Sequence, residues 1–282
     1  MDAKLDLKQL LIDLEGVDFS SLDEAELTAL IYEMLENLGS TDSELRDGLI
    51  YPTMMRAIEE DTIAAEQMLH MLDTCLDERH LFFKLGESGS DSVFMRSFTS
   101  LVIVGLLNSN AKNKFIEDAV YFTAMDKIIL YINLEKDTRG YVEDKGWAHA
   151  VAHGADMLLS LVKNPTFSSS HFLRVLDSIL GCVFKEAAYI DGEDERLINV
   201  IMAMIDLGLS DAQLEDFVAK VFAKLESIYE ADGFTYAFYR NLINATNFMK
   251  TFYFKLKSDN VGIGLRVHIY AKIREMQSYS WI

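Results

Sequence analysis

His149 and His153, with Asp156 one turn further on, are the residues of this chain whose types and spacing most directly suggest chemistry. On a helix advancing about 100° per residue, His149, His153, Asp156 and Ser160 share an arc of about 60°. Imidazoles at i and i+4 converge on one point, and Asp156 would supply a third ligand to a divalent metal such as zinc. Glu135 or Asp137, in the segment just upstream, would then act as general base of a metal-dependent hydrolase or lyase. The pattern departs from the helical zincin motif, because Ala150 stands where that motif has its glutamate. It is not a calcium-binding helix–loop–helix loop either. Every other position from Trp147 to Val162 is apolar, alanine or glycine. A helix apolar nearly all round is buried, so the histidine stripe faces a groove or an internal polar network. Three readings stay open: a metal site, a ligand groove, or hydrogen-bonded groups that fix how helices stack.

Arg96 is the second outlier. It is the only charged residue between Asp91 and Lys112 and has Phe94, Phe98, Leu101 and Ile103 around it. A buried arginine needs a carboxylate, and Asp137 and Asp156 are the candidates; the alternative is an arginine at a helix edge with its head in water. Glu193-Asp194-Glu195-Arg196 opens another apolar segment, where acidic residues suit a helix N-terminus; the functional alternative puts Glu193 or Glu195 in the same groove as the histidines. No nucleophile elbow, phosphate-binding glycine loop or dinucleotide fingerprint occurs, and no catalytic residue is assigned.

The elements that must position these groups are helices. The chain has only two prolines and no Asn-Gly turn, and shows little strict alternation of apolar and polar residues. Apolar periodicity predicts helices over 4–15, 22–38, 43–59, 61–78, 92–108, 113–134, 146–163, 169–184, 193–208, 211–230, 234–257 and 263–278. Ser21/Glu24, Thr41/Glu44 and Ser210/Gln213 are candidate capping boxes, and Asp144 is the expected N-cap of the histidine helix. Helices recurring every 20–25 or so residues match the period of HEAT or armadillo hairpins. The expected fold is therefore all-α, with stacked antiparallel hairpins forming an α/α superhelix. A single domain over 1–282 is expected, with 1–40 a looser N-terminal cap.

Composition narrows the partners. The 282 residues carry a formal net charge of -19, from 45 acidic and 26 basic side chains. Such a field repels phosphate backbones and anionic membranes, and no run of Lys or Arg stands against it. Cys75 and Cys182 fall in apolar patterns and read as reduced core thiols. The N-terminus lacks the features of a signal peptide, and the longest apolar run, Leu101–Leu107, is far below a membrane span. These features point to a cytoplasmic protein. The apolar end Tyr279-Ser280-Trp281-Ile282 is a candidate homodimer contact.

The run from Glu135 to Asp156, EKDTRGYVEDKGWAHAVAHGAD, resembles the hallmark of an uncharacterised bacterial family known as domain of unknown function 2785. Leu45-Arg46-Asp47, Ile50-Tyr51-Pro52, Asp91–Phe98, Glu193–Leu197, Arg240-Asn241 and Phe252–Leu256 agree in the same order, so the resemblance covers about residues 43–257. It implies a bacterial, all-helical protein and no activity. Its polar signature falls on Arg96, Glu135, Asp137, Arg139, His149, His153, Asp156, Glu193 and Arg196. With Trp147, these residues form the expected ligand-binding set. The expected function is a cytoplasmic binding or scaffold protein, without cofactor, whose polar concave groove engages a protein, peptide or small polar ligand. The metal enzyme with His149, His153 and Asp156 as ligands is the alternative.

Overall fold

The computed structural model describes residues 3–16, 19–185 and 187–277; the C-terminal stretch Tyr279–Ile282 lies outside them. The protein is all-α, with twelve α-helices and a single two-stranded hairpin among the described residues. Its residues group into two compact units, Met1–Thr166 and Phe167–Ile282.

The first unit contains α1 (Ala3–Asp13), α2 (Glu24–Glu36), α3 (Tyr51–Glu59), α4 (Ala65–Cys75), α5 (Ser92–Asn113), α6 (Asp118–Leu134) and α7 (Ala150–Lys163), with β1 (Tyr141–Val142) and β2 (Gly146–Trp147) between the last two. Its centre is α5. From Ser92 to Leu107 every residue but Met95 and Val104 is buried, because α3, α4 and α7 all pack on this helix. Among the described residues it is the one helix long and apolar enough to cross a membrane, but 83% of that stretch lies inside the fold, as expected of a core helix.

Helix ends show which local signals prevailed. Helix α2 is capped by Asp23 and Glu26 in a reciprocal box, two residues beyond the expected Ser21/Glu24 pair. Buried Phe19 anchors a 3₁₀ turn over Phe19–Ser21, so the extended backbone that a cap requires first becomes available at Asp23. The expected Thr41/Glu44 box is also replaced. Asp42 accepts the amide of Leu45, and Glu44–Ile50 winds as a wide π-helical segment that runs into α3 just before Pro52.

The expected helix over 146–163 is shorter at its start. Residues 141–147 form the hairpin instead, with Tyr141 opposite Trp147 and Val142 opposite Gly146. Asp144, the expected N-cap, sits in the turn with φ +64°. The pairing continues through Ala148 N–H to Gly140 O and His149 N–H to Arg139 O, both 2.9 Å. His149 is itself the N-cap, in the left-handed region at φ +53°. Gly146 has φ +78°, and a β-carbon there would lie 2.7 Å from Ser43 Cβ and 2.9 Å from Asp47 Oδ2. Only glycine lets the hairpin sit this close to the π-helical segment.

The second unit contains α8 (Phe172–Val183), α9 (Glu193–Asp206), α10 (Asp211–Asp232), α11 (Tyr236–Ser258) and α12 (Ile263–Gln277). Helix α11 packs on each of the other four. Buried Asn244 on α11 donates to Val183 O and Ala187 O and accepts the amide of Tyr189, fixing the connection between α8 and α9. The Ser210/Gln213 box forms as expected. Cys75 and Cys182 are buried, free thiols; burial pushes the Cys182 thiol up to about 11.

Candidate functional site

The polar residues of the first unit gather around the extended segment that leaves α6. Glu135 ends that helix in β conformation. Side chains two apart along an extended backbone share a side, and Glu135 and Asp137 are both buried while Arg139 lies at the edge. The partner of Arg96 is Glu135, not the expected Asp137 or Asp156. Arg96 Nε donates to Oε2 at 2.6 Å and Nη2 to Oε1 at 2.9 Å, a two-pronged pair with both side chains buried. The right segment is used, but the carboxylate that reaches the guanidinium is the one at the end of α6, two positions before Asp137. Burial alone would lower the Arg96 pKa; the hydrogen bonds and charge of Glu135 more than offset it and raise it.

Arg96 spends its remaining donors on one loop. Nη1 reaches Ser92 Oγ (2.9 Å), Phe83 O (3.0 Å) and Lys84 O (3.4 Å), and Nη2 reaches Glu87 O (3.4 Å). Asp137 and Arg139 form a second pair, Nη2 to Oδ2 at 2.6 Å. This pair grips the same loop, since Asp137 accepts the amide of Gly89 and Arg139 donates to Ser90 O. Glu135 also accepts the amide of Asp137, which couples the two pairs.

Above the network stands a cleft of about 410 Å³. One wall is the end of α2, with Glu36, Asn37, Gly39 and Ser40. The other is the gripped loop and the start of α5, with Phe83, Lys84, Ser90, Asp91, Ser92 and Met95.

The histidines sit in an aromatic series that runs from core to surface. Phe98 meets His153 edge-on at 5.6 Å, His153 meets His149 at 5.4 Å, His149 stacks on Trp147 at 4.7 Å, and Trp147 meets Tyr141 at 5.3 Å. Exposure rises along it, from 7% at each histidine to 40% at Trp147 and 61% at Tyr141, so the indole roofs the imidazoles. Ser97 Oγ donates to Ala148 O and lies 2.8 Å from His153 Nδ1. A hydroxyl already donating to a carbonyl can only accept from the ring, so His153 carries its proton on Nδ1. The two histidines are thus together, while Asp156 lies further along α7. Among the described residues no group of three or more His, Cys, Asp or Glu side chains is gathered to hold a metal.

Arg46 lies outside the expected ligand-binding set. It is fully buried, stacks on Phe94 and Phe98 with its guanidinium carbon 4.2 and 4.7 Å from the ring centroids, pairs with Asp47 at 2.7 Å, and donates to Ser40 O and Lys145 O. It therefore joins the cleft wall to the hairpin. Burial lowers the Arg46 pKa, with the Asp47 charge acting against it, and burial raises that of Asp47. With Glu44 and Asp47 beside it in sequence, Arg46 reads as part of a solvated helix face; only its place in the family-like motif marked it.

Glu193 and Arg196 belong to the second unit. Buried Glu193 accepts the amide of Asp191 across the Gly192 turn, and Arg196 is half-buried on α9.

The family described as Protein of unknown function (DUF2785) has a model that matches residues 81–254. The chain belongs to this family. The match begins in the gripped loop, contains both ion pairs and the histidine series, and ends near the close of α11. No curated protein and no solved structure matches the chain.

Proposed function

We propose that this is a cytoplasmic binding protein whose first unit takes a peptide or small polar ligand in the cleft between the end of α2 and the loop 83–92. One observation carries the reading. Two arginine–carboxylate pairs, Arg96–Glu135 fully buried and Asp137–Arg139 at its edge, direct their spare donors and acceptors to the backbone of that loop, at Phe83, Lys84, Glu87, Gly89 and Ser90. Irregular backbone held this firmly is preorganised, and preorganisation lowers the ordering cost of binding. In this reading Arg96, Glu135, Asp137 and Arg139 act from behind the wall. Glu36, Asn37, Lys84, Ser90 and Asp91 meet the ligand, offering both charges and several hydrogen-bonding groups. The net charge of -19 supports a partner that is neither nucleic acid nor an anionic membrane. The finer architecture, a HEAT- or armadillo-like superhelix of hairpins, belongs to the proposal and is supported by the short connections α3–α4, α5–α6, α9–α10, α10–α11 and α11–α12.

Equilibrium dialysis against a defined set of polar metabolites and tripeptides tests the reading. A retained compound that Glu36→Trp releases, with the melting temperature unchanged, supports it. Retention of nothing, or equal retention by Glu36→Trp, overturns it.

A further inference from the structure

The second unit holds a cleft of its own, about 480 Å³, between α9 and α11. Glu195, Ile198 and Asn199 line it from α9; Lys250, Phe254 and Lys255 are the principal residues from α11. The volume falls within the range of about 300–1,000 Å³ typical of small-ligand sites.

Its charges are divided by wall. The first turn of α9 is acidic, with Glu193, Asp194 and Glu195. The α11 wall belongs to the basic part of an acidic chain. Residues 240–277 hold seven basic and two acidic side chains, net +5, whereas the remainder has 19 against 43, net -24. The two walls of the cleft thus carry opposite charges. Here, among the described residues, Glu195 forms no ion pair with Lys250 or Lys255; Lys255 has only a distant contact with Asp259, 3.9 Å. Asp194 is engaged separately by the Thr251 hydroxyl at 2.6 Å. Glu195 and Lys250 are exposed, and Phe254, 63% exposed, presents an apolar surface beside them. The cleft thus offers a cation-attracting wall, an anion-attracting wall and an aromatic ring.

We infer that this cleft binds a small zwitterion with an apolar side chain, of amino-acid to dipeptide size. Its carboxylate lies against Lys250 and Lys255, its ammonium against Glu195, and its side chain on Phe254 and Ile198. A ligand bearing both charges satisfies both walls, whereas a simple anion or cation faces one wall of its own sign. The site is separate from the cleft of the first unit and does not depend on its reading.

Isothermal titration calorimetry with L-leucine and L-leucyl-L-leucine tests this on the full chain. N-acetyl-L-leucine, lacking the ammonium, and L-leucinamide, lacking the carboxylate, serve as controls. Saturable binding of at least one parent compound is expected. Loss of either ligand charge should weaken it about tenfold, the scale of one charged hydrogen bond in a half-open site. Glu195→Gln and Lys250→Met should each do the same, and exposed positions such as these leave the fold intact. The inference is overturned if neither parent binds saturably, if a blocked analogue binds as tightly as its parent, or if binding survives both substitutions.

Discussion

Replacing Arg96 by Met tests the network that holds the cleft wall. Arg96 is fully buried and makes six hydrogen bonds, two of them to Glu135. Methionine fills much of the same space but leaves the Glu135 carboxylate buried without its charge partner, though still accepting the amide of Asp137. Breaking a buried pair in this way costs about 3–5 kcal/mol. The carbonyls of Phe83, Lys84 and Glu87 add little, because they lie close enough to the surface to take water. For a unit of this size the loss corresponds to a fall in melting temperature of about 6–20 °C. Arg96→Met/Glu135→Met removes the stranded charge as well and should recover about half of the loss, which gives a favourable coupling energy between the two positions. Urea unfolding followed by circular dichroism measures the series, and hydrogen exchange of the α5 amides isolates the first unit. Exchange should also quicken at Gly89 and Ser90 in the single variant. A loss below about 1 kcal/mol, or a double variant no more stable than Arg96→Met, would refute the assignment of this pair as the support of the wall. The raised arginine pKa adds stability that is fully present below arginine's ordinary value and is lost only as pH rises through the folded one, so these results should not vary across neutral pH.

Further outcomes follow from the same geometry. Gly146→Ala forces a side chain into a left-handed backbone against Ser43 and Asp47 and should cost about 2 kcal/mol or more, seen in the melting temperature. His153→Ala removes the ring that meets Ser97, His149 and Phe98; a red shift and rise in exposure of Trp147 fluorescence are expected in a Trp281→Phe background, and an unchanged spectrum would separate the indole from the histidines. Hydrogen bonding from the Lys8 ammonium holds the Asp42 carboxyl below its ordinary 3.8. That contribution is present above pH 3.8 and is lost as pH falls through the lowered folded value, so Lys8→Met should flatten the acid limb of the stability profile. Zinc, manganese or iron added to chelator-treated protein should leave the melting temperature unchanged; a rise that His149→Ala abolishes would establish the metal site instead.

The sequence by itself determined the helices, because their apolar periodicity is a local property that packing then exploits. Helix α9 starts at Glu193 and α12 at Ile263, as the pattern predicts, and the Ser210/Gln213 box closes on its own neighbours. Arg96 was also legible as an outlier, but the sequence left burial against a carboxylate and a place at a helix edge both open, and the fold takes the first. Tertiary structure decided the rest. Whether residues 141–149 curl or pair depends on Gly146 meeting Ser43 and Asp47, about a hundred positions away in the chain. Whether Arg96 takes Glu135 or Asp137 depends on the direction in which α6 releases an extended segment. Arg46 looks solvated until Phe94 and Phe98 close over it. The histidines take their neighbours from distant contacts too, since Trp147 folds back on His149 and Ser97 reaches His153 from α5. Local sequence fixes which segments wind; the partners of a charge or an imbalance across a cleft are set by contacts distant in the chain, which periodicity does not encode.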